Sequence, residues 1–194
     1  MSITRLNELD ELTLFMILSQ ELAIGRYRLA EAIGVTKGRM RGVLRYLSIE
    51  SYIQPTKKGC KLTAKGEKYL QKLMESNGIL KVSYMDLGIL SSDDETASLH
   101  LRKETEVEDV GFGHRDIAVR AGARGATVLL YREDVLKVPR VYKSLEDEDE
   151  ITAERIRENF DLKHGDILVV SFADERWKAL KGALAVALTI EQAS

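Results

Sequence analysis

The sequence predicts an α+β chain in two parts: an N-terminal helix-turn-helix with a β-hairpin wing over residues 1–75, and a C-terminal α/β sandwich with a smaller sheet over residues 76–194. Three observations lead there. Apolar residues recur at helical spacing through the first seventy-odd positions, interrupted by a single basic turn. Beyond them, apolar runs of strand length alternate with helical patterns. Charge divides the chain as well. Residues 26–72 hold twelve basic side chains against three acidic ones, a surplus of nine, so in a chain of net charge −2 the remainder carries −11.

Taken in order, Leu9, Leu12, Phe15, Met16 and Leu22 set one apolar stripe on an amphipathic first helix. Gly25 ends it, and a short second helix from about Tyr27 to Ile33 buries Leu29, Ala32 and Ile33. Gly34 and Val35 then form a tight turn. Thr36, whose hydroxyl can accept from a first-turn N–H, caps a third helix running from Lys37 to about Ser48. At roughly 100° per residue, Met40, Val43, Leu44 and Leu47 share the face that packs on the first two helices. Opposite them lie Gly38, Gly42 and Arg45, with Arg41 on one flank and Arg39 and Tyr46 on the other. Two glycines inside a helix cost about 1 kcal/mol each against alanine, and close approach to a DNA backbone or groove floor would offset that cost. The arginines beside them can reach phosphates or fork onto guanine edges. From Tyr52 to Thr63 the pattern is strand, basic turn at Lys57-Lys58-Gly59 and returning strand, which makes a wing. Ala64 opens a fourth helix with Tyr69, Leu70 and Leu73 facing inward.

This order of elements, with Gly34-Val-Thr-Lys-Gly-Arg-Met-Arg41 and Leu62-Thr-Ala-Lys-Gly-Glu67, resembles the winged-helix transcriptional regulators of archaea and bacteria over roughly Leu9 to Met74. The resemblance implies double-stranded DNA as a partner. Arg28, Lys37, Arg39, Arg41, Arg45, Lys57, Lys58 and Lys61 are then the expected DNA contacts, the third helix in the major groove and the wing lysines on phosphates or the minor groove. Three other readings stand beside it: a solvated basic face without a ligand, a winged helix that binds protein, as such folds also do, and a small-molecule-binding protein without DNA recognition whose winged helix is an interaction module. Lysines on the wing together with arginines on one helix favour DNA, because the two elements would straddle a groove.

In the C-terminal part, strands are expected over Ile79–Leu90, Thr96–Arg102, Ala126–Tyr131, Val135–Val138 and Asp166–Ala173, with a turn at Ser91-Ser-Asp-Asp-Glu95. The strand before Pro139 is read as an edge. Helices are expected over Gly113–Gly122, Thr152–Phe160 and Asp174–Ile190, covering one sheet. Gly113-His-Arg-Asp-Ile-Ala-Val-Arg-Ala-Gly-Ala-Arg-Gly-Ala-Thr127 and Gly165-Asp-Ile-Leu-Val-Val170, followed by an alanine-rich helix, resemble the C-terminal domain of predicted archaeal winged-helix regulators. That resemblance implies a sensing or dimerising module. The glycines 111, 113, 122 and 125 around His114, Arg115, Arg120 and Arg124 form a candidate site for an anionic small-molecule effector. Surface arginines among ordinary turn glycines are the competing reading. On the last helix Trp177, Leu180, Leu184 and Leu188 form a core stripe; Val186 and Ile190 lie off it, and their exposure would offer a surface for a homodimer.

Several function classes are disfavoured. Gly111-Phe-Gly-His-Arg-Asp116 echoes a kinase catalytic loop but has neither the magnesium-binding asparagine nor the lysine strand. No nucleophile with base and orienter, and no phosphate loop with its lysine, is visible, so the chain is read as no enzyme. One cysteine and three isolated histidines, His100, His114 and His164, argue against a metal or other cofactor, and the acidic run Glu146–Glu150 reads as a solvated loop or helix entry. No apolar run reaches the roughly 20 residues of a membrane span and no signal pattern opens the chain, so a cytoplasmic protein is expected. Sparse amides beside 31% charged residues are a thermophile-like balance.

Overall fold

A computed structural model describes residues 4, 6–20, 24–91, 95–102 and 113–190. The chain divides into two compact units, Met1–Ser76 and Asn77–Ser194. It is a mixed α+β protein in which every strand pairing among the described residues is antiparallel.

The first unit runs α1 (Glu8–Gln20), α2 (Arg26–Ile33), α3 (Lys37–Ile49), β1 (Ile53–Thr56), β2 (Gly59–Leu62) and α4 (Ala64–Ser76). Instead of one apolar stripe, α1 buries every residue from Glu11 to Leu18. Leu14, Ile17 and Leu18 fill the side that the spacing left open, and the buried polar members are satisfied locally, Glu11 Oε1 accepting from the Thr4 N–H and the Thr13 hydroxyl donating to the Leu9 carbonyl. Leu22 lies outside the described residues. Gly34 caps α2 in the left-handed conformation at φ +81°, its N–H bonding to the Ala30 and Glu31 carbonyls. Thr36 Oγ1 then accepts from the Arg39 N–H at 3.2 Å to start α3, which buries Met40, Val43 and Leu47 while Leu44 is half-buried. Phe15, Tyr52 and Tyr69 meet with ring centroids 5.0–6.3 Å apart, joining α1, the hairpin entry and α4. A β-carbon at Gly66 would stand 2.1 Å from the Tyr52 carbonyl oxygen, so only glycine lets α4 approach so closely.

The second unit holds β3 (Ile79–Ser83), a 3₁₀ turn at Gly88–Leu90, β4 (Glu95–Leu101), α5 (His114–Arg120), β5 (Gly125–Arg132), β6 (Val135–Lys137), α6 (Leu145–Glu148), α7 (Glu150–Asn159), β7 (Ile167–Ala173) and α8 (Arg176–Ile190). Its sheet has the order β3-β4-β7-β5-β6, with the apolar β7 at the centre. Successive side chains of a strand face opposite ways. Leu168 and Val170 join Leu129, Leu136, Leu145 and Ile156 in a core beneath α6 and α7. Val169 and Ser171 face the other side, where α8 lies so close that a β-carbon at Gly182 would be 2.6 Å from Ser171 Oγ. Helices therefore cover both faces of the sheet, not one.

Three expectations need correction. The strand read through Leu90 stops at Ser83, because Asp86 Oδ1 accepts from the Gly88 N–H at 3.0 Å and Gly88 turns at φ +51°. Most of the turn at 91–95 lies outside the described residues. Val186 and Ile190 are buried, so they offer no surface to a second copy; the half-buried members of α8 are Trp177 and Leu188 among others. The acidic run has a structural role: Asp149 caps α7 through the Thr152 N–H and hydroxyl at 3.0 and 2.6 Å, and Glu146 accepts from the Leu136 N–H and pairs with Arg157.

Candidate nucleic-acid interface

The hairpin is fixed before any side chain reaches outward. Ile24 bridges Cys60 through paired backbone bonds of 3.4 and 3.2 Å, and the Tyr52 N–H donates to the Leu47 carbonyl at 2.8 Å. A β-carbon at Gly59 would lie 2.1 Å from the Ile24 carbonyl oxygen, which explains glycine at the base of the turn. The tie holds the entry of α2, the end of α3 and the hairpin in one piece. Thr56 pairs with Gly59, leaving Lys57 and Lys58 as the exposed two-residue tip.

Between α3 and the hairpin runs a groove of about 440 Å³ with an apolar floor of Leu44, Ile53 and Pro55. Arg41 and Arg45, one helical turn apart, border it together with Arg26. Among the described residues no carboxylate pairs with Arg41, Arg45, Lys57, Lys58 or Lys61. Gly38 and Gly42 lie exposed on α3, and a β-carbon built on either meets nothing within 4 Å. Packing inside the chain thus gives no reason for two glycines there, in contrast to Gly59 and Gly66.

Not every expected contact joins this face. Lys37 sits at the start of α3 with its Nζ 4.8 Å from the centre of the Tyr27 ring. Arg39 and Arg28 are exposed on α3 and α2. Lys61 pairs with Gln54 on the hairpin face opposite Ile53, Pro55 and Cys60, so it points away from the groove. Arg26 and Tyr27 are neighbours that the sequence reading left out. Arg26 donates to the Tyr27 hydroxyl at 3.1 Å and stacks over its ring at 4.9 Å. That bond and the charges of Arg26, Lys37 and Arg41 hold the Tyr27 phenol below its ordinary value. Ile49, 68% exposed, ends α3 with an apolar tip that helical spacing alone would have shown on the outer face.

In the second unit the four residues proposed for an effector lie on α5 and just beyond its end. Arg115 and Arg120 are five positions apart on α5, roughly 140° around the helix. Arg124 lies beyond its end, its N–H bonded to the Phe172 carbonyl. His114 is half-buried. Gly125 is explained by packing, since a β-carbon there would stand 2.7 Å from the Phe172 ring, and Gly111 lies outside the described residues. A tighter cluster sits elsewhere: Asp166, 1% exposed, accepts from Arg102 Nε and Nη2 at 2.7 and 2.6 Å, from the Lys163 N–H at 2.8 Å and from His100 Nε2 at 2.7 Å. Burial alone would raise the Asp166 carboxyl, but these donors outweigh it and hold it below the usual aspartate value. Nothing in the sequence joins residues 64 and 66 positions apart; the β4–β7 pairing does.

Residues 92–190, half of the chain, match the family described as Domain of unknown function (DUF4443). The chain belongs to this family. The match covers most of the second unit and none of the helix and hairpin face described above. Among solved structures, the hypothetical protein PH0730 from Pyrococcus horikoshii OT3 is similar over both units: 25% identity, a TM-score of 0.71, and coverage of 98% of this chain and 95% of that one. No curated protein matches. Among the described residues no helix is long and apolar enough to cross a membrane, and no group of His, Cys, Asp or Glu is arranged to hold a metal ion.

Proposed function

We propose that the first unit is a winged helix that binds double-stranded DNA, and that the protein is a cytoplasmic transcriptional regulator whose second unit senses an effector or dimerises. In this reading α3 enters the major groove. Arg41 and Arg45 reach base edges or phosphates from its exposed side, Lys57 and Lys58 contact the neighbouring backbone, and Arg26, Tyr27 and Lys37 add a phosphate clamp at the helix starts. The observation that carries it is the pair Gly38 and Gly42: exposed, unopposed within 4 Å, and beside Arg41 and Arg45, with which no carboxylate pairs among the described residues. Glycines in a helix destabilise the free chain, and a partner that needs the backbone bare supplies the missing reason.

The test is fluorescence anisotropy with a labelled random-sequence duplex, followed by selection of bound duplexes from a random pool. Binding whose logarithm falls linearly with the logarithm of salt concentration is expected, with a slope of about −0.9 for each phosphate contacted. Ile49 favours a second reading, in which α3 and the groove dock on a protein. That reading predicts no salt-dependent retention of DNA, so the same titration separates the two.

A further inference from the structure

The second unit has a cleft of about 740 Å³ between the ends of β3, β4 and β5 and the segment that leaves α7. His100 forms part of its floor although the residue is only 3% exposed. Its Nε2 faces Asp166 Oδ2 at 2.7 Å. Asp166 also takes three N–H bonds from Arg102 and Lys163, which saturate the carboxylate and keep it ionised. An ionised acceptor fixes the imidazole proton on Nε2, so in the neutral ring Nδ1 presents a lone pair. Among the described residues only Ser98 Oγ is fully enclosed without a partner, and nothing bonds to Nδ1; Nδ1 therefore opens on the cleft. The floor wants a hydrogen-bond donor.

The rim supplies the complementary charges. Arg102 is matched by Asp166 and Arg157 by Glu146, so neither is spare. Lys81 differs: its Nζ donates to the Asn159 backbone carbonyl, and no carboxylate pairs with it among the described residues. Two exposed carboxylates, Glu158 and Asp161, stand on the α7 side. Leu80, 47% exposed, and Phe160, whose ring packs edge-on to His100, give the cleft an apolar wall. One cation without a carboxylate partner among the described residues, one acceptor in a cleft that also holds two exposed carboxylates, and an apolar wall together describe a zwitterion with an apolar body.

We propose that this cleft binds a free α-amino acid with an apolar side chain, its carboxylate on Lys81, its ammonium group on His100 Nδ1, and its side chain against Leu80 and Phe160. A plain carboxylate would leave Nδ1 without a donor, and a plain amine would face Lys81. The cleft is a different place from the α5 candidate, and its occupancy does not depend on DNA binding.

The full chain labelled with ¹⁵N-histidine tests it directly, because the ring nitrogens of only three histidines need assignment, and His114→Gln and His164→Gln supply it. Leucine, isoleucine, valine, methionine and phenylalanine are added in turn, with affinity measured by calorimetry. At least one is expected to shift His100 Nδ1 and to bind in the micromolar to millimolar range. 4-Methylpentanoate and isopentylamine, each lacking one charged group, are expected to bind at least about tenfold more weakly, the weight of one charged hydrogen bond. Lys81→Ala, an exposed change that leaves the core intact, is expected to cost a similar factor. If no amino acid of the five moves His100, if a stripped analogue binds as well as its parent, or if Lys81→Ala leaves the affinity unchanged, the proposal is overturned.

Discussion

Replacing Gly38 and Gly42 by alanine separates what the chain needs from what a partner needs. Neither new methyl meets an atom within 4 Å, so no steric cost enters the folded state. Helix propensity then decides the sign: Gly42, in the interior of α3, gains about 1 kcal/mol as alanine, and Gly38, in the first turn, gains less. A domain of this size gains roughly 4–8 °C in Tm per kcal/mol, so the double variant is expected to melt several degrees higher by circular dichroism. Gly66→Ala is the control of opposite sign, because its β-carbon would strike the Tyr52 carbonyl at 2.1 Å. The same two methyls stand on the exposed side of α3 near Arg41 and Arg45. If a duplex seats there, holding its backbone off by a methyl is expected to weaken binding at least about tenfold, or about 1.4 kcal/mol. Anisotropy on one duplex reads that loss. A higher Tm with unchanged affinity would refute the idea that the glycine face is a contact surface, and a lower Tm would show that the chain itself requires the glycines.

Arg41→Ala or Arg45→Ala is expected to cost on the order of 1–3 kcal/mol of DNA affinity, while Lys57→Ala with Lys58→Ala flattens the salt slope by up to about two units; equal affinity and slope in all of them would remove the docking mode. Asp166→Asn is expected to lower stability by about 2–3 kcal/mol, the smaller end because Arg102 keeps part of its hydration. Since the native Asp166 carboxyl is lowered, its stabilising share is present above the ordinary aspartate value near about 3.9 and is lost as pH falls through the lower native value. Acid melting curves of wild type and Asp166→Asn should therefore converge below that window, and parallel curves throughout would contradict the assignment. Cys60 is buried and its thiol pushed up to about 11, so at pH 8 iodoacetamide is expected to alkylate it roughly a hundredfold more slowly in the folded chain than in denaturant; comparable rates would mean that the hairpin opens.

Much of the first unit was legible because its punctuation is local. Gly34 marks a left-handed cap, Thr36 an N-cap and Lys57-Lys58-Gly59 a two-residue turn, and each acts within four residues of itself. The basic face was legible from charge, except where membership depends on pairing: Lys61 belongs to the run but not to the groove, since register sends it to the far side of the hairpin. In the second unit, strand composition located most of the sheet. It could not locate the end of β3, which an aspartate side chain sets, nor the burial of Val186 and Ile190, which follows from the sheet beneath α8. The His100, Arg102 and Asp166 cluster was out of reach altogether. Its members are ordinary residues until the antiparallel pairing of Leu101 with Ile167 brings them together.

The backbone tie between Ile24 and Cys60 has a consequence for recognition. With that clasp closed, the lysine tip cannot swing without dragging the start of α2 along, so the span from tip to arginines is settled before any encounter. Whatever docks across both must fit a ruler of set length, and little ordering entropy is lost in the protein when it does.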